Sequence, residues 1–113
     1  MAAKIDWLVI IPDHEGALPK RMASRPTHLE GLAARVQSGA WTMGGATLAH
    51  PPVGDEPKAF NGSCMVAHAA TKEEVLDEVR KDTYAKAGVW NLDKITIYPL
   101  MTAFRKEKAG AAW

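Results

Sequence analysis

One histidine and one aspartate are the residues of this sequence whose types and expected placement suit acid–base chemistry. His28 lies in the opening turns of the first predicted helix, and Asp82 comes just after the second. A carboxylate that is hydrogen-bonded to one imidazole nitrogen fixes the tautomer and raises the basicity of the other nitrogen. Such a pair is chemically sufficient to abstract a proton near neutral pH.

Both residues also have an ordinary structural interpretation. A histidine near a helix start is often a solvated or packing residue, and a short polar side chain such as that of Asp82 readily caps a following turn, here at Tyr84. The spacing in the sequence leaves both interpretations open.

Several further side chains have two possible roles. Trp90 and Tyr84 flank the aspartate and either line a pocket that accepts aromatic ligands or belong to the core, whereas Trp7 and Trp41 fit the core or a dimer contact better. Ser63 either lines a cavity or bonds to the backbone.

Two adjacent glycines, Gly44 and Gly45, lie within a predicted strand, where they favour a bulge or the close approach of a ligand or backbone segment. No helix start follows them, so they do not form a phosphate-binding loop.

No metal site is predicted. The other histidines and the one cysteine show no close ligand spacing, and Cys64 lies mid-strand, where a buried inert thiol is common (His14, His50, His68, Cys64).

Hydrophobic patterning and capping residues predict the elements that position these side chains. The first helix has Ser24 as its expected N-cap, Gly39 as its C-cap and an apolar stripe of Leu29, Leu32, Ala33 and Val36. Thr71 begins a capping box. Strands are predicted at 5–11, 40–48, 63–69 and 92–101, helices at 24–38 and 71–80, a helical lead-in at 14–23, a loop at 50–61 and one more turn at 82–88.

The order β-α-β-β-α-β is typical of an α+β, ferredoxin-like fold, in which two helices cover one face of an antiparallel sheet. The start of the first helix then lies near the end of the second, which brings His28 and Asp82 to the same end of the helical layer. Because the first and last strands are apolar on both faces, the uncovered face of the sheet favours a symmetric homodimer.

Composition narrows the classes of partner. The net charge is +1 with mixed signs, 47% of residues are hydrophobic and Cys64 is alone. We therefore expect no basic stripe for nucleic acid, no disulfide framework, no signal peptide and no membrane span. A cytoplasmic location is expected. One domain is expected over 1–105, with a flexible C-terminal tail at 106–113.

The sequence also resembles the YCII-related (YciI-like) proteins of the dimeric α/β barrel superfamily. The matching pieces are 25–29 (RPTHL), Gly39, 44–46 (GGA), 62–63 (GS), 81–84 (KDTY) and 88–90 (GVW), which together span most of the chain.

The resemblance implies a dimeric α/β barrel whose active-site pair is the helix-one histidine and the aspartate of a D-P-Y segment. These correspond to His28 and Asp82, with Arg25 one helical turn before the histidine. Thr83 replaces the usual proline, so the turn is expected to be less rigid. One branch of the family is similar to a dehydrochlorinase that acts on a chlorinated hydroxyquinol.

The function expected from both arguments is that of a cofactor-free lyase or isomerase acting on a small cyclic or aromatic metabolite. His28, oriented by Asp82, takes a proton, while Arg25 and Ser63 stabilise the anion that develops. The remaining expected ligand contacts are Tyr84, Trp90, Gly44 and Gly45. The alternative is a non-catalytic dimeric module that binds a small molecule or a partner protein.

Overall fold

The computed structural model describes residues 3–108. It contains a four-stranded sheet, three α-helices and a 3-10 turn. The strands are β1 (Ile5–Pro12), β2 (Trp41–Leu48), β3 (Phe60–Ala69) and β4 (Thr96–Leu100), and the helices are α1 (Leu18–Ser38), α2 (Lys72–Lys81) and α3 (Thr83–Lys86). Residues 109–113 of the predicted tail lie outside the described residues.

The sheet is antiparallel throughout, in the order β2-β3-β1-β4. The two central strands pair along their full length, from Ile5 opposite Ala69 to Pro12 opposite Gly62. This confirms the α+β, ferredoxin-like fold class. The start of α1 lies at the Gly62 end of the sheet, where Arg21 donates to the Gly62 carbonyl. The residue that ends α2, Asp82, lies beside the middle of α1, so His28 is a mid-helix residue rather than one of the opening turns as predicted.

Alternation along the strands decides which side chains enter the core. Trp7, Val9 and Ile11 of β1 are buried toward the helices, whereas Leu8 and Ile10 point to the opposite face because side chains of a strand alternate. The core lies between sheet and helices and is completed by Trp41, Met65, Ala67, Val75, Val79, Tyr84, Val89, Trp90 and Ile97.

The first helix differs from its prediction. It begins at Leu18 with Ala17 at the N-cap, so Ser24 is not the cap, and it continues through Pro26. Tertiary contacts explain the early start, because Arg21 in the second turn is buried and hydrogen-bonded to the sheet. Gly39 ends the helix at φ 83°, as predicted.

The buried face of α1 also differs from the predicted apolar stripe. Ala33 and Val36 are exposed, while His28, Leu32 and Arg35, spaced three and four residues apart, turn inward. Polar partners on α2 and α3, described below, account for this rotation of the helix.

The remaining differences are at the ends of elements. β3 begins at Phe60 rather than at Ser63, and β4 is shorter than predicted because Leu92–Lys94 forms a 3-10 turn. Thr71 caps α2 through the Glu74 N–H, as the capping box predicts. Within the described residues, none of the helices combines the length and apolarity needed to cross a bilayer.

Candidate active site

His28 and Asp82 contact each other directly. Nδ1 of His28 lies 2.7 Å from Oδ1 of Asp82. The aspartate side chain is fully buried and that of the histidine is 11% exposed. A hydrogen bond between an imidazole and a carboxylate is strengthened by this exclusion of water. The contact therefore has the length and the environment that orienting a base requires.

Asp82 performs both of the roles that its sequence position allows. It is the N-cap of α3, and its Oδ1 accepts the Tyr84 N–H at 2.8 Å as well as bonding with His28. The extended backbone at Asp82 separates α2 from α3 and turns the carboxylate toward α1. Capping and pairing are thus features of the same residue rather than alternatives.

Arg35 supplies the third partner of this carboxylate. Its Nη1 lies 3.2 Å from Asp82 Oδ2. Arginine and backbone N–H groups can only donate, so Asp82 acts as an acceptor on both oxygens. In a neutral imidazole, a hydrogen bond from Nδ1 to such an acceptor requires the ring proton on Nδ1 and leaves the lone pair on Nε2. Nε2 has no hydrogen-bond partner among the described residues.

Aromatic rings hold the imidazole in place. The Tyr84 ring stacks on His28 with centroids 3.8 Å apart and an interplanar angle of 12°. Trp90 meets both rings edge-on, at 6.0 and 5.7 Å. Burial raises the pKa of the Tyr84 phenol, although Arg21 and Arg25 act in the opposite direction. Tyr84 is therefore a neutral ring that restricts the tilt of His28.

A second polar network lies beyond Tyr84. The guanidinium carbon of Arg21 is 4.6 Å from the Tyr84 ring centroid. This buried arginine donates to Ser63 Oγ and to the Gly62 carbonyl, each at 2.8 Å, and to Asp13 at 3.4 Å. Trp90 Nε1 also donates to Ser63 Oγ, at 3.0 Å. The Ser63 oxygen thus accepts from two side chains at once.

Asp13 is the second buried carboxyl group of this end of the sheet. Burial raises its pKa, while the charges of Arg21 and His14 lower it. Its Oδ2 is buried without a hydrogen-bond partner. The Asp13 carboxyl group therefore binds a proton more readily than that of an exposed aspartate, and its side-chain hydrogen-bond partner is the Arg21 guanidinium.

Of the other predicted site residues, some contact His28 and others lie farther from it. Tyr84 and Trp90 contact the histidine, and Ser63 joins the network behind them. Arg25 is exposed on α1 and close enough to Tyr84 to act on it electrostatically.

Gly44 and Gly45 are exposed on the edge strand β2, opposite Met65 and Cys64. They have no positive φ, and a Cβ at Gly45 would meet no atom within 4 Å. The register shifts of β2 fall on either side of them.

Three polar residues of the site were missed from the sequence: Asp13, Arg21 and Arg35. Two of them had a detectable pattern. Arg21, His28 and Arg35 are spaced seven residues apart, which places them on one face of a helix. The pattern is visible only when 18–38 is treated as one continuous helix.

Neither of two depressions on the surface of the chain contains the His28–Asp82 pair. They measure about 330 and 500 Å³ and are lined by other residues, including Lys4 and His68. Burial raises the pKa of the Cys64 thiol, which favours its inert protonated form. No cluster of three metal-ligating side chains occurs within residues 3–108.

Comparison with known families gives a match over residues 5–98 to the YCII-related domain. The chain belongs to the YCII-related domain family. This family assignment agrees with the resemblance carried by the short motifs around His28 and Asp82.

Relatives in this family include proteins named for fungal biosynthesis. Derivative of benzaldehyde biosynthesis cluster protein C of Emericella nidulans is 40% identical over 78% of this chain and 91% of its own length. Fusaric acid biosynthesis protein 2 of Gibberella fujikuroi is 36% identical over 83% and 90%, respectively. The chain also matches aspartate kinase FUB3 of Fusarium oxysporum f. sp. lycopersici at 33% identity, but spans only 20% of that protein's length.

The fold has a counterpart of known structure in 5-chloro-2-hydroxyhydroquinone dehydrochlorinase from Burkholderia phenoliruptrix, solved in complex with 2,5-dihydroxybenzoquinone. The TM-score is 0.72 with 24% sequence identity, over 86% of this chain and 94% of the other. The match supports the ferredoxin-like fold class of this family member.

Proposed function

We propose that this protein is a cofactor-free acid–base enzyme that removes a proton from a small cyclic or aromatic metabolite and thereby drives an elimination or a double-bond shift. The observation that carries the proposal is the 2.7 Å contact between His28 Nδ1 and the buried Asp82 carboxylate. Nε2 of His28 is the base, because Nδ1 is occupied by the aspartate.

In the elimination, Nε2 takes a proton from the substrate and the electron pair released forms a new double bond. The leaving group departs with the electrons of its own bond, as chloride in a dehydrochlorination or as hydroxide that is protonated to water. Arg25, exposed near Tyr84, is the cation best suited to stabilise the developing anion. Ser63 acts indirectly by holding Arg21 and Trp90 in place.

The class of substrate is inferred from relatives. Two relatives of similar length are named for biosynthesis of fusaric acid and of a benzaldehyde derivative, and a dehydrochlorinase of the same fold binds a dihydroxybenzoquinone. A hydroxylated ring is therefore the first class of compound to test, and 5-chloro-2-hydroxyhydroquinone and 2,5-dihydroxybenzoquinone are the probes.

The test compares His28→Ala with the wild-type chain and with His50→Ala. His50 is exposed in the loop before β3, and within residues 3–108 its ring bonds only to the carbonyl of its neighbour Pro51. We expect His28→Ala to lower chloride release from the chlorinated probe by about 10²–10⁴-fold, with calorimetric affinity for the quinone nearly unchanged. His50→Ala retains the wild-type rate.

Equal chloride release by His28→Ala and the wild type contradicts the proposed base. If the wild type binds the quinone and no chlorinated or hydroxylated ring is turned over, the non-catalytic binding module is the correct function. The two outcomes are separated by the same pair of measurements.

We further propose that two copies pair through the uncovered face of the sheet. Leu8, Ile10, Met43, Tyr98 and Leu100 lie on that face by their register. Ile10, Met43 and Tyr98 are 37%, 41% and 54% exposed, respectively. An apolar surface of this kind is seldom left in water by a soluble protein.

A further inference from the structure

The geometry points to Arg35 as a positioning residue of the His28–Asp82 pair, which keeps Asp82 a carboxylate and so keeps the Nε2 lone pair of His28 free. The inference rests on the proposed function for its catalytic meaning. Its structural content, the position of the proton on the His28 ring, is measured without any substrate.

The Asp82 carboxylate bonds to three groups: the His28 ring, the Tyr84 backbone N–H and the Arg35 guanidinium. Oδ1 accepts from Tyr84 N–H at 2.8 Å and lies 2.7 Å from His28 Nδ1, while Oδ2 has Arg35 Nη1 at 3.2 Å. The side chain is 0% exposed. Arg35 is therefore the partner of Oδ2, and water has no access to replace it.

Arg35 is itself held in place by an ion pair and an aromatic ring. Its Nε donates to Glu78 Oε2 at 3.3 Å, and its guanidinium carbon lies 4.7 Å from the Trp41 ring centroid. Its side chain is only 14% exposed. A planar guanidinium held by an ion pair on one edge and a ring on one face presents Nη1 to Asp82 in one orientation.

The spacing of His28 and Arg35 along α1 matches the position of Asp82. His28 and Arg35 are seven residues apart on one continuous helix, so they share a face and lie about 10 Å apart along the axis. Asp82 lies between them and takes one donor from each. The same helix therefore positions both His28, the proposed base, and Arg35, the cation that bonds to Asp82.

The chemical consequence follows from removing the cation. A buried carboxylate oxygen without a donor is costly, and the group avoids that cost by binding a proton. A protonated Asp82 donates its O–H to His28 Nδ1. The ring proton of neutral His28 then occupies Nε2, and the proposed base has no lone pair to offer.

The other charged and titratable groups that act on Arg35 or on Tyr84, the neighbours of the pair, lie on the three helices and at the end of β1. Arg21 and Arg25 lie on α1, Glu78 on α2, Tyr84 on α3, and Asp13 follows β1 and pairs with Arg21. Of these, only Tyr84, through its backbone N–H, also contacts Asp82.

The experiment records long-range ¹H–¹⁵N spectra of the histidine rings at alkaline pH, without ligand, for the wild type, Arg35→Gln, Arg35→Met and Arg35→Lys. The matched control is Arg80→Gln, because Arg80 is 55% exposed and pairs with Asp77 on the surface of α2. We expect His28 to be protonated on Nδ1 in the wild type and the control. In Arg35→Met, which removes both the charge and the donor, the Nε2–H form becomes the major species. Arg35→Gln keeps an amide N–H donor and shifts the tautomer less, and Arg35→Lys restores most of the Nδ1–H form.

An unchanged His28 tautomer in folded Arg35→Gln and Arg35→Met overturns the inference. If neither variant folds, the wild type decides the matter: the Arg35 guanidinium N–H signals should be resolved and slowly exchanging, unlike those of Arg80, and free rotation of Arg35 contradicts its role. A tautomer change combined with full turnover by His28→Ala would instead refute the proposed function and leave the positioning role of Arg35 intact.

Discussion

Asp82 is the residue at which the fold and the candidate chemistry meet. Its carboxylate caps α3 and contacts His28, and both roles were predictable from the sequence as alternatives. The sequence could not predict that both roles occur together, since this depends on two lone pairs of one oxygen pointing in different directions. The sequence also indicated Ser63 as a site residue, but its partners Arg21 and Trp90 are known only from packing.

Removing the Ser63 hydroxyl tests the network behind the histidine. Ser63→Ala leaves two buried donors, Arg21 and Trp90 Nε1, without their shared acceptor. Because an unpaired buried donor costs more than a hydrogen bond contributes, we expect the free energy of unfolding to fall by about 1–3 kcal/mol. Urea denaturation followed by tryptophan fluorescence measures it.

The control is Ser24→Ala on α1. Ser24 is half-buried, and no side-chain hydrogen bond of Ser24 occurs within the described part of the chain, so a change below about 0.5 kcal/mol is expected. Equal effects of the two substitutions would show that the Ser63 network contributes nothing specific to stability.

Helix α1 shows where local sequence patterns fail. Capping preference favours Ser24, and Pro26 removes one helical hydrogen bond, so the sequence indicated a lead-in followed by a separate helix. The structure has one helix from Leu18 because Arg21 is anchored to Gly62 and Ser63. Tertiary contacts of this kind exceed the small energies of capping and propensity, and they cannot be seen from local patterns.

Gly62 of β3 is a point at which two backbones approach closely. A Cβ there would lie 2.7 Å from the Ile11 carbonyl oxygen and 2.7 Å from Thr47 Oγ1. We therefore expect Gly62→Ala to force β1 and β2 away from β3 and to lower the free energy of unfolding by about 1–3 kcal/mol. Thermal unfolding monitored by circular dichroism gives the comparison.

Gly45→Ala on the neighbouring strand serves as the reference, since an added Cβ meets nothing within 4 Å. Its stability should stay within about 0.5 kcal/mol of the wild type. If Gly62→Ala lowers the free energy of unfolding as little as Gly45→Ala does, the strands can move apart at Gly62 without cost and the predicted steric conflict is wrong.

The topology of the chain was its most predictable property. Strand order, helix order and the antiparallel sheet follow from hydrophobic periodicity and turn residues. The prediction that His28 meets Asp82 is correct, but its premise that His28 lies in the opening turns of the first helix is wrong, because α1 begins ten residues earlier, at Leu18. The polar residues on the inward face of α1 were less accessible, because burial of arginine contradicts the usual distribution of charge. Only their partners in three dimensions explain it.

The proposed dimer is tested by charge on the uncovered sheet face. Ile10, 37% exposed in the middle of β1, would lie in the interface, so Ile10→Lys is expected to convert a dimer to a monomer. Light scattering after gel filtration measures the mass. Val36→Lys, at a helix position that is 46% exposed, should remain dimeric, and a monomeric wild type at micromolar concentration contradicts the dimer.

The seven-residue spacing of Arg21, His28 and Arg35 constrains how this gene can vary in length. One codon gained or lost between positions 28 and 35 turns Arg35 by about 100° around the helix axis and withdraws it from Asp82. Functional homologues that keep the arginine should therefore vary in length in the loop between β2 and β3, while the α1 segment keeps a constant number of residues.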